Sequence, residues 1–313
     1  MSDFKTLYPT VDNSLRMRAD ASLEERLTRW AAPPSQTEIE KCERAERMIR
    51  DAIYSDPTLS KKKINVFAKG SYANRTNIPA DSDVDIGVLN EDFFFVDYPP
   101  GMSGADFGFS TANYTFEEYF KDVARAIVNK FGSAEVTVSD KCIKVRSNSC
   151  RVDADVVPHY THRRYVDRSR FHEGVALKSG TRLIYNWPKQ DYENGVAKNE
   201  RTGRGYKGLV RIFKSIRSEM TDDGIASSTN AKSYLLACLA WNVPDEYFGE
   251  DAYEAIFFDS LDYLIGMTAS YANVKEWGEV NELKYLFRDA QPWKLEDVHQ
   301  FLKDMKAYME KFR

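Results

Sequence analysis

Ile64-Asn65-Val66-Phe67-Ala68, then Gly70-Ser71, then a polar run with Pro79 and Asp81, then Asp83-Val84-Asp85-Ile86-Gly87-Val88: this stretch decides how the chain is read. Its apolar ends have strand composition, and the residues between them have turn composition. Asp83 and Asp85 stand at i and i+2 at the entry to the second strand. Alternation therefore turns both carboxylates to one face, at one end of a sheet. Carboxylates held that close repel unless a cation sits between them. Such a pair is also ordinary at an exposed strand end, so its surroundings matter. Gly70 directly follows a strand, where a glycine lets a backbone amide approach a phosphate, and the Ser71 hydroxyl can hold a terminal phosphate oxygen. A third carboxylate, Asp155, lies in the β-rich run Cys150–Val157 and could complete the cluster. Hard oxygen donors of this kind suit magnesium, which combines a few carboxylates with substrate phosphate oxygens.

Outward from this stretch, Ser35-Gln36-Thr37-Glu38 reads as a capping box opening a long amphipathic helix to about Tyr54. Phe93–Tyr114, rich in Gly, Pro and aromatics, reads as a loop or insertion. Thr115-x-x-Glu118 caps a further helix, which Gly132 ends. Short strands are expected at Ala134–Val138, Cys142–Arg146 and Cys150–Val157, with Pro158 closing the last and no strand beyond it. The second half reads as helical: Tyr206–Met220, Ala231–Asn242, Ala252–Tyr271 and Leu295–Phe312. The order gives an α+β chain, with a mixed-sheet lobe over residues 1–200, a helical lobe over 201–313 and a cleft between them.

Composition narrows the class. Of 313 residues, 42% are hydrophobic and 29% charged, an ordinary globular balance. No long uncharged apolar run suggests a membrane span, and Met1–Arg18 lacks the apolar core of a secretory leader, so a cytoplasmic location is expected. Cys142 and Cys150 could face each other on adjacent strands, but four reduced, mostly buried thiols is the plainer expectation. His159 and His162 have no cysteine pair beside them and so make no zinc motif. The net charge of −4 opposes duplex binding, which draws most of its affinity from phosphate contacts. The run His162-Arg163-Arg164 with Arg168 and Arg170 is the one basic candidate, and a single basic loop is more often a solvated face.

Together these features resemble the polymerase-beta-like nucleotidyltransferase superfamily. Within it, the nearest branch holds oligoadenylate synthetases, cyclic GMP-AMP synthase and bacterial CD-NTases. Gly70-Ser71-Tyr72-Ala73-Asn74-Arg75-Thr76 resembles the family's Gly-Ser turn, Asp83-Val84-Asp85 its metal pair, and Asp155-Val156-Val157-Pro158 its third-aspartate strand. Lys214 and the run Lys232-Ser233-Tyr234-Leu235-Leu236 resemble its triphosphate and base contacts. On this resemblance Asp155, rather than Asp153, is the ligand.

The resemblance implies two magnesium ions, with manganese a substitute, on Asp83, Asp85 and Asp155, and nucleotide contacts from Gly70, Ser71, Lys214, Ser233 and Tyr234. The implied reaction joins nucleoside triphosphates (ATP, GTP or pyrimidine) without a template into a cyclic di- or trinucleotide second messenger for anti-phage signalling. A monomer that needs no duplex nucleic acid, with a regulatory protein as partner, is expected. Alternatives remain: an RNA- or small-molecule nucleotidyltransferase of the same superfamily, or an inactive nucleotide-binding module. Read without the resemblance, Lys214 could be a solvated lysine, Ser233 a helix cap and Tyr234 a core residue.

Overall fold

The computed structural model describes residues 22–79, 83–288 and 291–313; the expectations for Met1–Arg18 and Asp81 fall outside them. The described residues divide into two compact units, 33–197 with 279–284, and 22–32 with 198–278 and those from 285 onward.

The first unit is built on a seven-stranded mixed sheet. Its strands are β1 (Ile64–Lys69), β2 (Val84–Asp97), β3 (Val136–Val138), β4 (Ile143–Val145), β5 (Ala154–Tyr165), β6 (Phe171–Ser179) and β7 (Arg182–Asn186). The order is β1-β2-β5-β4-β3, and β6 joins the far half of β5 and carries β7. Only β2 and β5 run parallel. Val84, Ile86, Val88, Ala154 and Val156 turn one face into a core shared with Cys42, Ala45, Ile49 and Ile53, and with Tyr119, Val123 and Ile127. Those residues lie on two helices, α2 (Gln36–Ser55) and α5 (Phe116–Phe131). Each opens with the full reciprocal capping box expected of it. The Tyr119 hydroxyl donates 2.6 Å to the Val88 carbonyl, pinning α5 to β2. Asp85 and Asp155 alternate with the buried positions and so lie on the opposite face.

Three expectations are corrected in this unit. Pro158 does not end its strand, because β5 runs on to Tyr165. Val156 pairs with Ile143 of β4 and Tyr160 with Ala176 of β6. Pro158 falls in the gap between those ladders, where its missing N–H breaks no bond. Strands do follow Val157, namely β6 and β7, and a helix α6 (Pro188–Arg201) follows them. Phe93–Asp97 is strand rather than loop. Register shifts between Asn90 and Phe94, and β2 then pairs with Thr161–Arg164 beyond that irregularity. Between there and Tyr114 lies one helical turn, α4 (Gly104–Phe107), after the single turn α3 (Gly70–Ala73) that follows β1.

The second unit is helical. Its centre is α7 (Gly205–Asp222), buried almost throughout from Gly205 to Ile216. With it go α1 (Leu23–Ala31), α8 (Ser233–Trp241), α9 (Tyr253–Thr268), the single turn α10 (Tyr271–Val274) and α11 (Leu295–Met309). The expected boundary at 200/201 falls at 197/198, inside α6, and α1 groups with the helical part rather than the sheet. Hydrogen bonds explain the second difference. Ala252, at the N-cap of α9, has no side-chain acceptor, and Glu24 of α1 takes the Tyr253 and Glu254 amides at 3.0 and 2.7 Å. Arg211 of α7 donates from Nε to the Ala31 carbonyl at 2.8 Å, satisfying the end of α1.

Cys42, Cys142 and Cys238 are buried, Cys150 is exposed, and all four are free thiols. Among the described residues no helix is long and apolar enough to cross a membrane.

Candidate active site

Asp85 and Asp155 are Cα partners across the parallel β2–β5 ladder. The same row continues outward on both sides, to Lys69 of β1 and to Lys144 of β4. Residues directly opposite one another across a ladder project to the same face. Four side chains therefore stand in line, Lys–Asp–Asp–Lys. The Lys69 ammonium lies 3.7 Å from Asp85 Oδ1, and that of Lys144 lies 3.4 Å from Asp155 Oδ1. Asp155 raises the Lys144 pKa above the ordinary lysine value.

Asp83 sits just ahead of β2. Its carboxyl is lifted above the usual carboxylate range by partial desolvation first, then by repulsion from Asp153 and Asp155, against the pull of Lys144. Asp153 is committed elsewhere, since its Oδ1 accepts the Ser147 backbone amide. Its own carbonyl takes the Val84 amide at 2.9 Å, which fixes the start of both strands.

The Gly-Ser turn meets this row directly. Gly70 has φ +66, a left-handed conformation, and a Cβ there would lie 2.3 Å from Asp85 Oδ2. Only glycine allows the turn to approach the carboxylate so closely. Asn74 holds the turn closed, donating from its amide and from Nδ2 to the Gly70 carbonyl at 3.2 and 2.9 Å. The Thr76 amide donates to the Ser71 carbonyl at 2.9 Å.

Among the described residues, no three acidic, histidine or cysteine side chains are gathered into a ready metal cage. The donor chemistry nonetheless fits a hard divalent cation: three carboxylates share one sheet end, and Asp83 bears the repulsion a cation would relieve. The histidines are no part of it. Burial and the nearby Lys69 push His159 down to about 3, and its Nδ1 donates 2.6 Å to the Val157 carbonyl. His162 is buried and stacked on Tyr185 at 4.0 Å.

In the helical unit, Lys214 is 1% exposed, which excludes a solvated lysine. Ser233 is the first residue of α8 rather than its cap, a position held by Lys232. The Ser233 hydroxyl accepts from Arg217 at 3.1 Å, and Arg217 also donates to the Ala231 carbonyl at 3.1 Å. Tyr234 is 36% exposed beside the buried Leu235 and Leu236, so it is not a core residue. Sequence reading missed Lys69, Lys144 and Arg217. The two lysines become visible only once strand register is known, and Arg217 gives no motif signal.

Residues 193–310 match the family model described as the cGAS/DncV-like nucleotidyltransferase C-terminal helical domain. A cyclic dipyrimidine nucleotide synthase CdnE from Cecembia lonarensis is 44% identical over 89% of this chain and 95% of its own length. Another of that name, from Legionella pneumophila, is 41% identical over 92% and 98%. The solved structure of Rhodothermus marinus CdnE c-UMP-AMP synthase with Apcpp and Upnpp superposes with a TM-score of 0.81 at 31% identity, covering 92% of this chain and 96% of that one. With this sheet, this Gly-Ser turn and these aspartates, the chain belongs to the CD-NTases, the cGAS/DncV-like branch of the polymerase-beta-like nucleotidyltransferases.

Proposed function

We propose that this chain is a magnesium-dependent nucleotidyltransferase that joins two pyrimidine nucleoside triphosphates into a cyclic dinucleotide, releasing pyrophosphate. The observation that carries the reaction type is the row of Asp85 and Asp155 with Gly70 set against Asp85. The pyrimidine preference rests on the names of the two relatives at 44% and 41% identity.

Asp83, Asp85 and Asp155 would hold the magnesium. When bound, the metal would supply Lewis-acid polarisation of the α-phosphate and lower the pKa of the acceptor ribose hydroxyl. The bare Gly70 backbone and the Ser71 hydroxyl bind the donor's terminal phosphates. Asp155 accepts the proton leaving the attacking hydroxyl. The hydroxyl oxygen bonds to the α-phosphorus in line with the departing bridging oxygen, and the P–O bond to pyrophosphate breaks. A second turn of the same step on the linear product closes the ring. Lys214 and Ser233 add triphosphate contacts, and the Tyr234 ring stacks on a base. The product serves as a second messenger in anti-phage defence, in line with the family resemblance.

The test is incubation of the protein with UTP, CTP, ATP and GTP, singly and mixed, with magnesium, and mass spectrometry of the products. A cyclic dipyrimidine product is expected. A cyclic product containing only purines would overturn the base assignment, and absence of any internucleotide bond would overturn the activity.

A further inference from the structure

We infer that Lys69 and Lys144 are resident counter-ions of the acidic site, which a divalent cation must displace, so that metal binds weakly until a nucleoside triphosphate arrives with its own. The inference rests on reading the aspartates as metal ligands, and it concerns what occupies them beforehand. Two carboxylates directly opposed across a ladder weaken strand pairing. Here each is neutralised from the outer side by a lysine one strand further along the same row. With Asp153, which also repels Asp83, four carboxylates against two ammoniums leave two net negative charges, where the carboxylates alone would present four. A divalent cation is attracted far less to the first than to the second.

The geometry also fits displacement. The contacts of 3.7 and 3.4 Å are longer than the ~2.7–2.9 Å of a tight charge-assisted hydrogen bond. The Lys144 side chain is 56% exposed and that of Lys69 20%. Ion pairs this long are worth about 1 kcal/mol or less, enough to compete with a cation and small enough to be given up for one. Lysine is suited to the task, being a point charge on a flexible four-carbon stem that can swing off when the carboxylate changes partner.

The test uses Mn2+ alone as probe on the full, nucleotide-free chain, with free Mn2+ read by electron paramagnetic resonance and melting followed in parallel. Lys69→Met and Lys144→Met should each bind Mn2+ more tightly, by at least roughly fivefold, the worth of one competing unit-charge ion pair at this distance in water. Both should melt lower than wild type in EDTA and gain more on adding Mn2+. Lys144→Arg should bind like wild type. Unchanged or weaker Mn2+ affinity in both methionine variants would overturn the inference. Asp155→Asn separates the two readings. If it leaves Mn2+ binding unchanged, the assignment of the aspartates fails. If it weakens binding while the methionine variants do not tighten it, only the counter-ion role fails.

Discussion

Replacing Gly70 with alanine adds one carbon at the point where the Gly-Ser turn meets the acidic row. That carbon would stand 2.3 Å from Asp85 Oδ2 and 3.1 Å from its Cγ, with backbone at φ +66. Ordinary contact needs roughly 3.5 Å, so the carboxylate must retreat by about 1 Å or the turn must open by as much. A non-glycine residue in the left-handed region costs roughly 1–2 kcal/mol. For a domain of this size that lowers the melting temperature by only about 2–8 °C. The catalytic cost is larger, because a displacement of about 1 Å in a reacting constellation can cost ~10²-fold in rate, about 2.7 kcal/mol. Gly70→Ala should therefore remain folded at 25 °C and lose about two orders of magnitude in pyrophosphate release. Rate and melting temperature are to be measured on one preparation. A variant that melts several degrees lower yet turns over within threefold of wild type would refute the close approach as a catalytic requirement.

Asp155→Asn should cost orders of magnitude in rate. Asp153→Asn should cost far less in rate, because its amide oxygen can still accept the Ser147 N–H; reversal of the two would refute the assignment. Tyr234→Ala should raise the Michaelis constant of every accepted nucleotide about tenfold, with Tyr234→Phe nearly silent, as stacking of ~1–3 kcal/mol requires. A fall in melting temperature without that rise would count against stacking. Activity should need no DNA or RNA, and nuclease-treated protein should match untreated protein in the pyrophosphate assay. Asp56 gives a pH prediction. Burial alone would raise its pKa, but amides of Leu59 and Thr58 and the Arg125 guanidinium hold it below the ordinary range. Its stabilisation is present above about pH 4 and lost as pH falls through the folded value. Asp56→Asn should thus be less stable than wild type at pH 7 by ~1–3 kcal/mol, with the gap narrowing as pH falls below about 4 in urea melts.

The parts of the fold legible in the sequence were those with local chemistry. The capping boxes at Ser35 and Thr115, the Gly132 stop, and the alternation around Asp83 and Asp85 each state their structure within a few residues. The misreadings all needed long-range information. Pro158 reads as a strand end unless one knows that the β4 ladder ends with Ile143 opposite Val156 and that β6 starts pairing only at Tyr160. Phe93–Asp97 reads as loop because it opens a stretch rich in Gly, Pro and aromatics, although β2 continues through it beyond a shift of register. Helix α1 belongs with the helical unit because Glu24 caps a helix more than two hundred residues away. At the candidate site, residues of the motifs were legible singly, whereas Lys69 and Lys144 needed the ladder itself.

The geometry of the acidic row is set by residues that never touch it. Val84, Ile86 and Val88 on β2, and Ala154 and Val156 on β5, are each 0 or 1% exposed. A shift of either strand by one residue would turn those side chains out of the core and replace them with Asp85 or Asp155. Burying an unpaired carboxylate costs several kcal/mol, and exposing several aliphatic side chains adds ~1.5–3 kcal/mol for each. The slipped register is thus excluded by far more than the few kcal/mol that separate useful from useless carboxylate spacing. The same hydrophobic pattern that folds the sheet therefore places Asp85 opposite Asp155, and no interaction between the carboxylates is required to bring them together. Repulsion between them can be tolerated because the core on the other face holds the register.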